Sequence, residues 1–378
     1  MNRKTLNLFL VVFSLFAISV FAFFTYPTVG AQTINRTRTT PTPTPTITPV
    51  KTTPTAKTTP TVAPTPEPEE TLVIETELVN LNVRVVDRNN RPINSLSKND
   101  FKILEDSIPQ EIAFFSKSEI PTNYSLVIDN SGSLRSQLEK VIEASKILVA
   151  TNRPADETSV IRFVSSDKIE IIQDFTASKN DLNDALDNLF IEGGQTAIID
   201  AVYLAAEKVS DYEKAEKATD RKRRALILVT DGEDRDSYYK EEQLFQLLRE
   251  SDVQIYVVGF VNELTKEGGF ISKSPQAKAK GLLTRMAEET GGKSYFPNSV
   301  SELPVIASNI ASELRTQYSI GYAPSNDKTD NSVRNIKVVI ADGPNKEKRI
   351  AITRSSRSST PDSKNAPTLQ NQVKPKGN

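Results

Sequence analysis

The fold is decided by residues 124–133, which read YSLVIDNSGS. The first five are mostly apolar, as expected of a strand that is covered on both faces. They lead directly into Asp129 and a short loop of small and hydroxyl-bearing residues. Open parallel sheets bind ligands at the carboxyl ends of their strands, so this stretch predicts a buried strand that ends in a candidate binding loop.

Strand and helix patterns alternate from this point to residue 317. Apolar runs predict strands at residues 159–164, 169–175, 225–229, 254–260 and 294–296. Amphipathic spacing and capping residues predict helices at residues 134–151, 178–189, 197–209, 237–249, 282–290 and 300–317. The strands at residues 159–164 and 169–175 are predicted to form an antiparallel hairpin. The alternation predicts an α/β fold with a doubly wound, mostly parallel, Rossmann-like sheet and helices on both faces.

Three segments that are far apart in the sequence carry oxygen-bearing side chains at strand ends or helix starts. They read DNSGS at residues 129–133, GGQT at residues 193–196 and TDG at residues 230–232. The right-handed crossover rule places the strands before the first and third segments on the same rim of the sheet. The candidate metal ligands that would meet there are Asp129, Ser131, Ser133, Thr196 and Asp231.

This set supplies only two carboxylates and three hydroxyls to a cation. A hard divalent ion held by so few charges stays electron-poor and seeks another oxygen ligand, such as a carboxylate on another molecule. The chain has no cysteine and no histidine, so a metal must be bound by oxygen, which points to Mg²⁺, Mn²⁺ or Ca²⁺.

Each segment also has an explanation that involves no metal. Ser131 or Ser133 could cap the helix that starts near residue 134. The two glycines before Gln195 could form an ordinary loop in front of a helix capped by Thr196, and residues 230–232 could be a turn after a strand. The three segments together are more specific than each alone, because they occur in the required order at strand ends and helix starts.

The N-terminal and C-terminal segments have the composition of export and spacer sequences. Residues 1–31 place Arg3 and Lys4 before an apolar stretch at residues 6–24, which predicts either a cleaved signal peptide or an uncleaved membrane anchor. Both alternatives place the rest of the chain outside the cytoplasm, in the periplasm, outside the cell or on the outer face of the cytoplasmic membrane. Residues 32–70, rich in Thr and Pro, predict a disordered stalk, and residues 355–378 a disordered tail.

The segments that flank the α/β domain have the pattern of short strands. Alternation around residue 83 places apolar residues on one face of a half-buried strand and Arg84 on the other. Residues 71–119 predict a small β unit that is marginal alone, and residues 319–354 are expected to supply its missing strands. We therefore expect one small all-β module beside a central domain at residues 120–318.

The charge of the chain is nearly balanced, with 47 basic and 48 acidic residues. This balance predicts no nucleic-acid partner. The basic run at residues 221–224 leads directly into a predicted strand, and we interpret it as a solvated edge rather than a phosphate contact.

The three oxygen-bearing segments resemble those of the von Willebrand factor A (VWA) domain family, over about residues 122–318. Residues 129–133 match the family's Asp-x-Ser-x-Ser motif, Thr196 matches its threonine after a Gly-rich loop, and Asp231 matches its second aspartate. The flanking segments resemble a bacterial subgroup of exported VWA-related proteins.

The resemblance implies a metal-ion-dependent adhesion site that usually holds Mg²⁺. It implies that the hydroxyls of Ser131, Ser133 and Thr196 touch the metal, and that Asp129 and Asp231 act through water or switch in and out. An Asp or Glu of a protein partner would fill the open position. We interpret Asp234 as a solvated loop charge, with support of the ligands from behind as the alternative. A switch through the last helix, at residues 300–317, is a further hypothesis.

The sequence thus predicts a divalent-metal-dependent protein-binding module for adhesion or assembly, and not an enzyme. A structural envelope scaffold with a vestigial metal site is an alternative. A metal-dependent hydrolase is less favoured, because Ser131 stands where phosphatases with a strand-end Asp nucleophile usually carry a second Asp. The absence of histidine also excludes a Ser-His-Asp triad.

Overall fold

The structure, a computed structural model, describes residues 78–359 apart from residues 118, 213–221, 265–273, 327, 329 and 345–346. The predicted leader and stalk, at residues 1–31 and 32–70, lie outside the described part of the chain. Within the described part, no helix has the length and apolar character that crossing a bilayer requires.

The strands and helices are numbered along the chain. The strands are β1 (Val79–Val86), β2 (Phe101–Glu105), β3 (Ile108–Gln110), β4 (Ile112–Ser116), β5 (Thr122–Asp129), β6 (Glu157–Phe163), β7 (Ile169–Thr176), β8 (Arg223–Thr230), β9 (Gln254–Gly259), β10 (Lys293–Tyr295), β11 (Tyr318–Tyr322), β12 (Val333–Ile340), β13 (Ile350–Ile352) and β14 (Ser356–Ser358). The α-helices are α1 (Leu138–Ala150), α2 (Lys179–Asp187), α3 (Ile198–Asp211), α4 (Glu241–Glu250), α5 (Pro275–Glu289) and α6 (Leu303–Arg315).

The central sheet contains six of these strands in the order β10-β9-β8-β5-β6-β7. All neighbouring pairs are parallel except β6 and β7, which form the predicted antiparallel hairpin. If the six strands are numbered 1 to 6 along the chain, with β5 as strand 1, and the sheet is read starting at β7, the order is 3-2-1-4-5-6. In a doubly wound sheet with this order, the direction of winding reverses between the first and fourth strands. The predicted fold class is confirmed, and the reversal lies between β5 and β8.

Helices cover both faces of the sheet. Successive strand residues point to opposite faces, so neighbouring residues of β5 pack against different helices. Leu126 and Ile128 of β5 lie in a hydrophobic cluster with side chains of α1, α2 and α6. Val127 lies in a second cluster with side chains of α3, α4 and α5. All eight residues of β5 are buried, so the strand delivers Asp129 into a position shielded from bulk solvent.

The segments that flank the central domain form two four-stranded antiparallel sheets, as predicted. Their strand orders are β13-β1-β11-β4 and β14-β12-β2-β3. β1, which precedes the central domain, pairs with β11, which follows it, and places Val83 opposite Tyr318. Leu81, Ile103 and Ile320 share one hydrophobic core. Strands from both ends of the described chain therefore complete a single all-β module.

The second face of β1 is buried at Arg84, where the half-buried strand pattern indicated a solvated position. Arg84 is 4 % exposed and forms an ion pair with Glu313 of α6. Glu313 also accepts hydrogen bonds from the Lys293 ammonium at 3.0 Å and from the Tyr295 hydroxyl at 3.2 Å. The end of the central domain covers this face of β1, and strand alternation alone carries no information about such a contact.

The basic run at residues 221–224 is not a solvated edge at Arg223, so that interpretation was wrong there. Arg223 is buried, and its guanidinium donates to the carbonyl oxygens of Leu314 and Gln317 at 2.9 and 2.7 Å. The last carbonyl groups of a helix have no partner within the helix. Arg223 satisfies two carbonyls at the end of α6, and its burial lowers its pKa to about 10.

The first residues of the predicted tail are ordered, which corrects the boundary at residue 355. Ser356–Ser358 form β14, which pairs with β12. The Arg357 guanidinium donates to both carboxylate oxygens of Glu105, each at 2.9 Å. Glu105 is buried, and a buried carboxylate is costly without a cationic partner. This ion pair explains why a polar segment joins the module.

The starts of α4 and α5 differ from those predicted, and α1 and α6 also begin later than predicted, at Leu138 and Leu303. α4 begins at Glu241 rather than directly after Ser237, whose hydroxyl donates instead to Asp234 at 2.6 Å. α5 begins at Pro275, because the Ser274 hydroxyl caps it by accepting from the amide of Ala277 at 3.2 Å. None of these differences alters the order of the sheet.

We predict that Arg84→Met lowers the free energy of unfolding by roughly 2–4 kcal/mol, because Glu313 then loses a cationic partner in a buried site. The double variant Arg84→Met/Glu313→Gln should recover part of this loss, since the buried carboxylate that has lost one of its two cationic partners is also removed. Urea denaturation of the three proteins measures both effects. Arg88→Ala, at an exposed position just after β1, is the control and should change stability by less than about 0.5 kcal/mol. Equal stabilities of the Arg84 and Arg88 variants would contradict the assigned contact.

Candidate metal centre

Asp129 lies at the end of β5, next to the reversal point of the sheet, and is fully buried. Its Oδ1 accepts a hydrogen bond from the amide of Ser131 at 2.9 Å. Its Oδ2 accepts a hydrogen bond from the hydroxyl of Thr230, the last residue of β8, at 2.7 Å. The first and third segments of the predicted site are therefore joined directly through this carboxylate.

The hydroxyl oxygens of Ser131 and Ser133 lie 2.9 Å apart. Ser131 is buried and Ser133 is exposed, so the pair reaches from the protein interior to the surface. Ser131 precedes a short 3₁₀ turn, but its side chain makes no capping hydrogen bond to that turn. Ser133 lies inside the turn, and α1 begins only at Leu138, after Gln137. The alternative in which these serines serve only as helix caps is not supported.

Thr196 is buried just before α3, in the second segment. Helix α3 begins after Ala197, without a side-chain capping bond, so Thr196 does not cap it. The carbonyl oxygen of Thr196 accepts hydrogen bonds from the amides of Arg235 and Asp236, at 2.8 and 3.2 Å. These bonds hold the second segment against the loop that follows β8.

Asp231 follows Thr230 in a tight turn. Its Oδ1 accepts a hydrogen bond from the amide of Glu233 at 3.1 Å. Gly232 has a φ of +89°, and a Cβ built on it would lie 2.9 Å from side-chain atoms of Ala279 and Leu283. Glycine is needed at this position on both grounds. The segment is thus a turn, as the alternative without a metal proposed, and Asp231 directly follows Thr230, whose hydroxyl donates to Asp129.

Burial raises the pKa of Asp129 to about 6. Hydrogen bonds from Ser131 and Thr230 oppose this rise, and the negative charge of Asp231 adds to it. Desolvation is the largest of these effects, which means that the charged form of Asp129 is unfavourable in the metal-free protein.

A second buried carboxylate, Asp200 in the first turn of α3, was missed by the sequence analysis. It accepts hydrogen bonds from the amides of Tyr238 and Tyr239, both at 2.8 Å, and from the Ser166 hydroxyl at 2.5 Å. Asp200 thereby connects α3 to the loop after β8 and to the turn between β6 and β7. The available signal was a single acidic residue within the otherwise apolar start of this helix.

Asp234 is not a solvated loop charge. Its carboxylate accepts hydrogen bonds from the amide of Ile199, at the start of α3, at 3.1 Å and from the Ser237 hydroxyl at 2.6 Å. An acceptor at a helix N-terminus satisfies an amide that has no partner within the helix. Asp234 supports the site from behind by fixing α3 to the loop that carries Asp231.

The donor set fits a hard divalent cation. Neighbouring ligands of an octahedral ion with bonds of 2.0–2.1 Å lie about 2.9 Å apart, and the two serine oxygens have this separation. No group of three or more carboxylates suited to a metal occurs among the described residues. A cation at this rim would therefore depend on hydroxyl oxygens, with Asp129 and Asp231 supplying the charge. The liganding roles of Asp129, Ser131, Ser133, Thr196 and Asp231 remain predictions.

Residues 125–309 match the family model of the von Willebrand factor type A domain. A comparison with curated proteins finds no match. Similar solved structures include an aerotolerance-related membrane protein from Bacteroides fragilis, with 20 % identity over 51 % of this chain and 98 % of that chain, and a TM-score of 0.38. A von Willebrand factor type A protein from Catenulispora acidiphila has 12 % identity over 76 % of each chain and a TM-score of 0.41. Proximal thread matrix protein 1 from the mussel byssus, with a zinc-occupied MIDAS motif, has 18 % identity over 52 % of this chain and 48 % of that chain, and a TM-score of 0.41.

We predict that Asp129→Asn stabilises the metal-free protein at pH 8. The folded-state pKa of about 6 lies above the ordinary value of 3.8, so the folded protein binds more protons than the unfolded chain between these values. The contribution of Asp129 to stability therefore falls as pH rises from about 4 to 6, and the cost persists above pH 6. At pH 8 the variant should be more stable by about 1–3 kcal/mol, and at pH 4 the two proteins should be alike.

Urea denaturation in EDTA at pH 4, 6 and 8 measures this difference. Asp187→Asn provides the control, because Asp187 is an exposed carboxylate paired with Lys146. It should show no gain in stability at any of the three pH values. A variant at residue 129 that is less stable than the parent at pH 8 would contradict the assigned cost of burial.

Proposed function

We propose that this chain, which contains a von Willebrand factor type A domain at residues 125–309, is a divalent-metal-dependent protein-binding module for adhesion or assembly outside the cytoplasm. The observation that carries the proposal is the convergence of the three segments at the reversal point of the sheet. Thr230 joins the third segment to Asp129, and the carbonyl of Thr196 joins the second segment to the loop that follows the third.

The residues would divide into ligands and charge carriers. The hydroxyls of Ser131, Ser133 and Thr196 would hold the ion, and a carboxylate of a protein partner would complete its coordination. Both oxygens of Asp129 already accept hydrogen bonds, which fixes the orientation of its carboxylate. Such a carboxylate is suited to balancing the charge of the ion through water. When bound, the ion supplies a Lewis-acidic position for an Asp or Glu side chain.

Mg²⁺ is the favoured ion, with Mn²⁺ as an alternative. The oxygens of Ser131 and Ser133 are 2.9 Å apart. This separation suits neighbouring ligands of either ion, because the six to eight oxygens around Ca²⁺ crowd to about 3 Å apart at bonds of 2.3–2.6 Å. Mg²⁺ is favoured because three hydroxyls, waters and one partner carboxylate suit its six positions and its tendency to keep several waters.

Binding rather than catalysis is proposed because the chain has neither histidine nor cysteine to serve as a general base or nucleophile. The place of action is proposed from the sequence of the N-terminal segment. Residues 6–24 are apolar and follow Arg3 and Lys4, and a Thr/Pro-rich stalk separates them from the folded part. Attachment to a membrane through residues 6–24 belongs to the same proposal.

We predict that the protein takes up one Mg²⁺ per chain and that Asp129→Ala abolishes this binding, as measured by calorimetric titration. Ser133→Ala should raise the dissociation constant by about tenfold or more, because it removes a ligand. Ser136→Ala is the matched control, since it deletes the same hydroxyl from an exposed serine three residues away, where the side chain donates only to Gln137. The absence of heat on titration of the parent protein would favour the scaffold alternative.

A further inference from the structure

We propose that the partner of this site is an extended acidic segment of another protein, in which a large apolar residue lies next to the metal-bound carboxylate and a second acidic residue pairs with Arg135. The inference rests on the metal-dependent binding proposed above, and it specifies the chemistry of the partner. Its support comes from the side chains that surround the site.

Exposed aromatic residues occur beside the site and nowhere else in the described part of the chain. Eight large apolar side chains are exposed there, and Phe190 and Tyr238 are the two aromatic ones, at 51 % and 76 % exposure. The other six are aliphatic residues of the module, of β7 and of α6. Exposed aromatic side chains are typical of protein-binding surfaces, because they bury a large area with little loss of conformational freedom.

Phe190 belongs to a segment that is fixed to the first loop of the site. Its carbonyl oxygen accepts a hydrogen bond from the Asn130 side chain at 2.7 Å. The amide of Glu192 donates to the carbonyl of Asn130 at 2.9 Å. The guanidinium of Arg162 lies 4.2 Å from the centre of the Phe190 ring, which restrains the ring from one side. Phe190 is thus a supported aromatic side chain beside residues 129–133.

Tyr238 is fixed through its backbone to the other side of the same network. Its amide donates to Asp200, the buried carboxylate that also binds Ser166. Its ring meets the ring of Tyr239 edge to face, with centroids 5.6 Å apart. The backbone is therefore held in place while most of the side chain stays in water, which lowers the entropic cost of binding a partner.

Arg135 supplies positive charge at the rim that other groups do not neutralise. It is exposed, lies two residues after Ser133 and has no ion-pair partner among the described residues. In contrast, Lys168 and Arg235 pair with Glu192 and Glu233, respectively. An unpaired cation beside a divalent ion would attract a segment with more than one carboxylate.

Peptides of defined sequence test the proposal. Three fluorescein-labelled, end-capped octapeptides in a Gly/Ser background carry one Glu, one Glu with a neighbouring Phe, or Glu and Phe with a second acidic residue. Fluorescence anisotropy is measured in Mg²⁺ and in EDTA. We expect binding only in Mg²⁺, and affinity for the third peptide at least tenfold higher than for the first.

Variants of the rim assign this preference to residues. Phe190→Ser and Tyr238→Ser should remove the gain that the Phe residue gives, and Arg135→Gln should remove the gain from the second acid. Calorimetric Mg²⁺ affinity should be unchanged in all three, since none of these residues is a predicted ligand. Ile350→Ser, at an exposed aliphatic position of β13 in the all-β module, is the control and should change neither quantity. Urea denaturation checks that each variant is folded.

The possible outcomes separate this inference from the proposed function. Metal-dependent binding of all three peptides with equal affinity, or a preference that survives the Phe190 and Tyr238 variants, would overturn the inference and leave the proposed function intact. Mg²⁺ uptake without binding of any peptide would overturn the acidic-segment partner. Failure to take up Mg²⁺ would overturn the proposed function itself. Rim-dependent binding to phosphatidylserine/phosphatidylcholine vesicles in place of peptides would show that the aromatic residues serve a lipid surface.

Discussion

The hydrogen bond from the Thr230 hydroxyl to Asp129 is the contact on which the site depends. It joins the ends of β5 and β8, the two strands between which the winding of the sheet reverses. The parallel register places Ile128 opposite Val229, so the two strands end side by side. The helices on either side then diverge, and the gap between them is where a doubly wound sheet binds ligands. The position of the site follows from strand order before any side chain is considered.

The all-β module contacts the central domain at the end of α6, away from the candidate site. α6 leads directly into β11, and polar contacts with Arg84 and Arg223 hold its last turn. Gln317, just after the helix, donates to the buried hydroxyl of Tyr256 at 3.1 Å. The position of α6 is therefore shared between the central sheet and the module. The hypothesis of a switch through this helix requires that these contacts be remade together, since each buried polar group left alone is costly.

The alternation of strands and helices, the hairpin and the shared rim of the first and third segments were accessible from sequence, because they follow from local patterns and the crossover rule. An apolar run, a strand-end Asp and a Gly turn report directly on backbone conformation. The burial of Arg84 and Arg223 was not accessible, because it depends on which surfaces meet after folding. The same holds for Asp200 and Asp234, each of which binds a group more than 30 residues away. β14 was not predicted, because its sequence is polar. It joins the module through a buried ion pair between Arg357 and Glu105.

Burial accounts for the raised pKa of Asp129, and the few charges of the candidate site are the reason that a bound cation would attract a partner. Two hydrogen bonds do not offset the desolvation of Asp129, whose pKa stays raised to about 6. Asp231 adds a second negative charge nearby. A divalent ion would balance both carboxylates, and the serine hydroxyls would add no further charge. A carboxylate at residue 131 would stabilise the ion more, but it would also weaken the attraction for a partner's carboxylate. Hydroxyl ligands would thus keep a bound ion available to a carboxylate from another molecule.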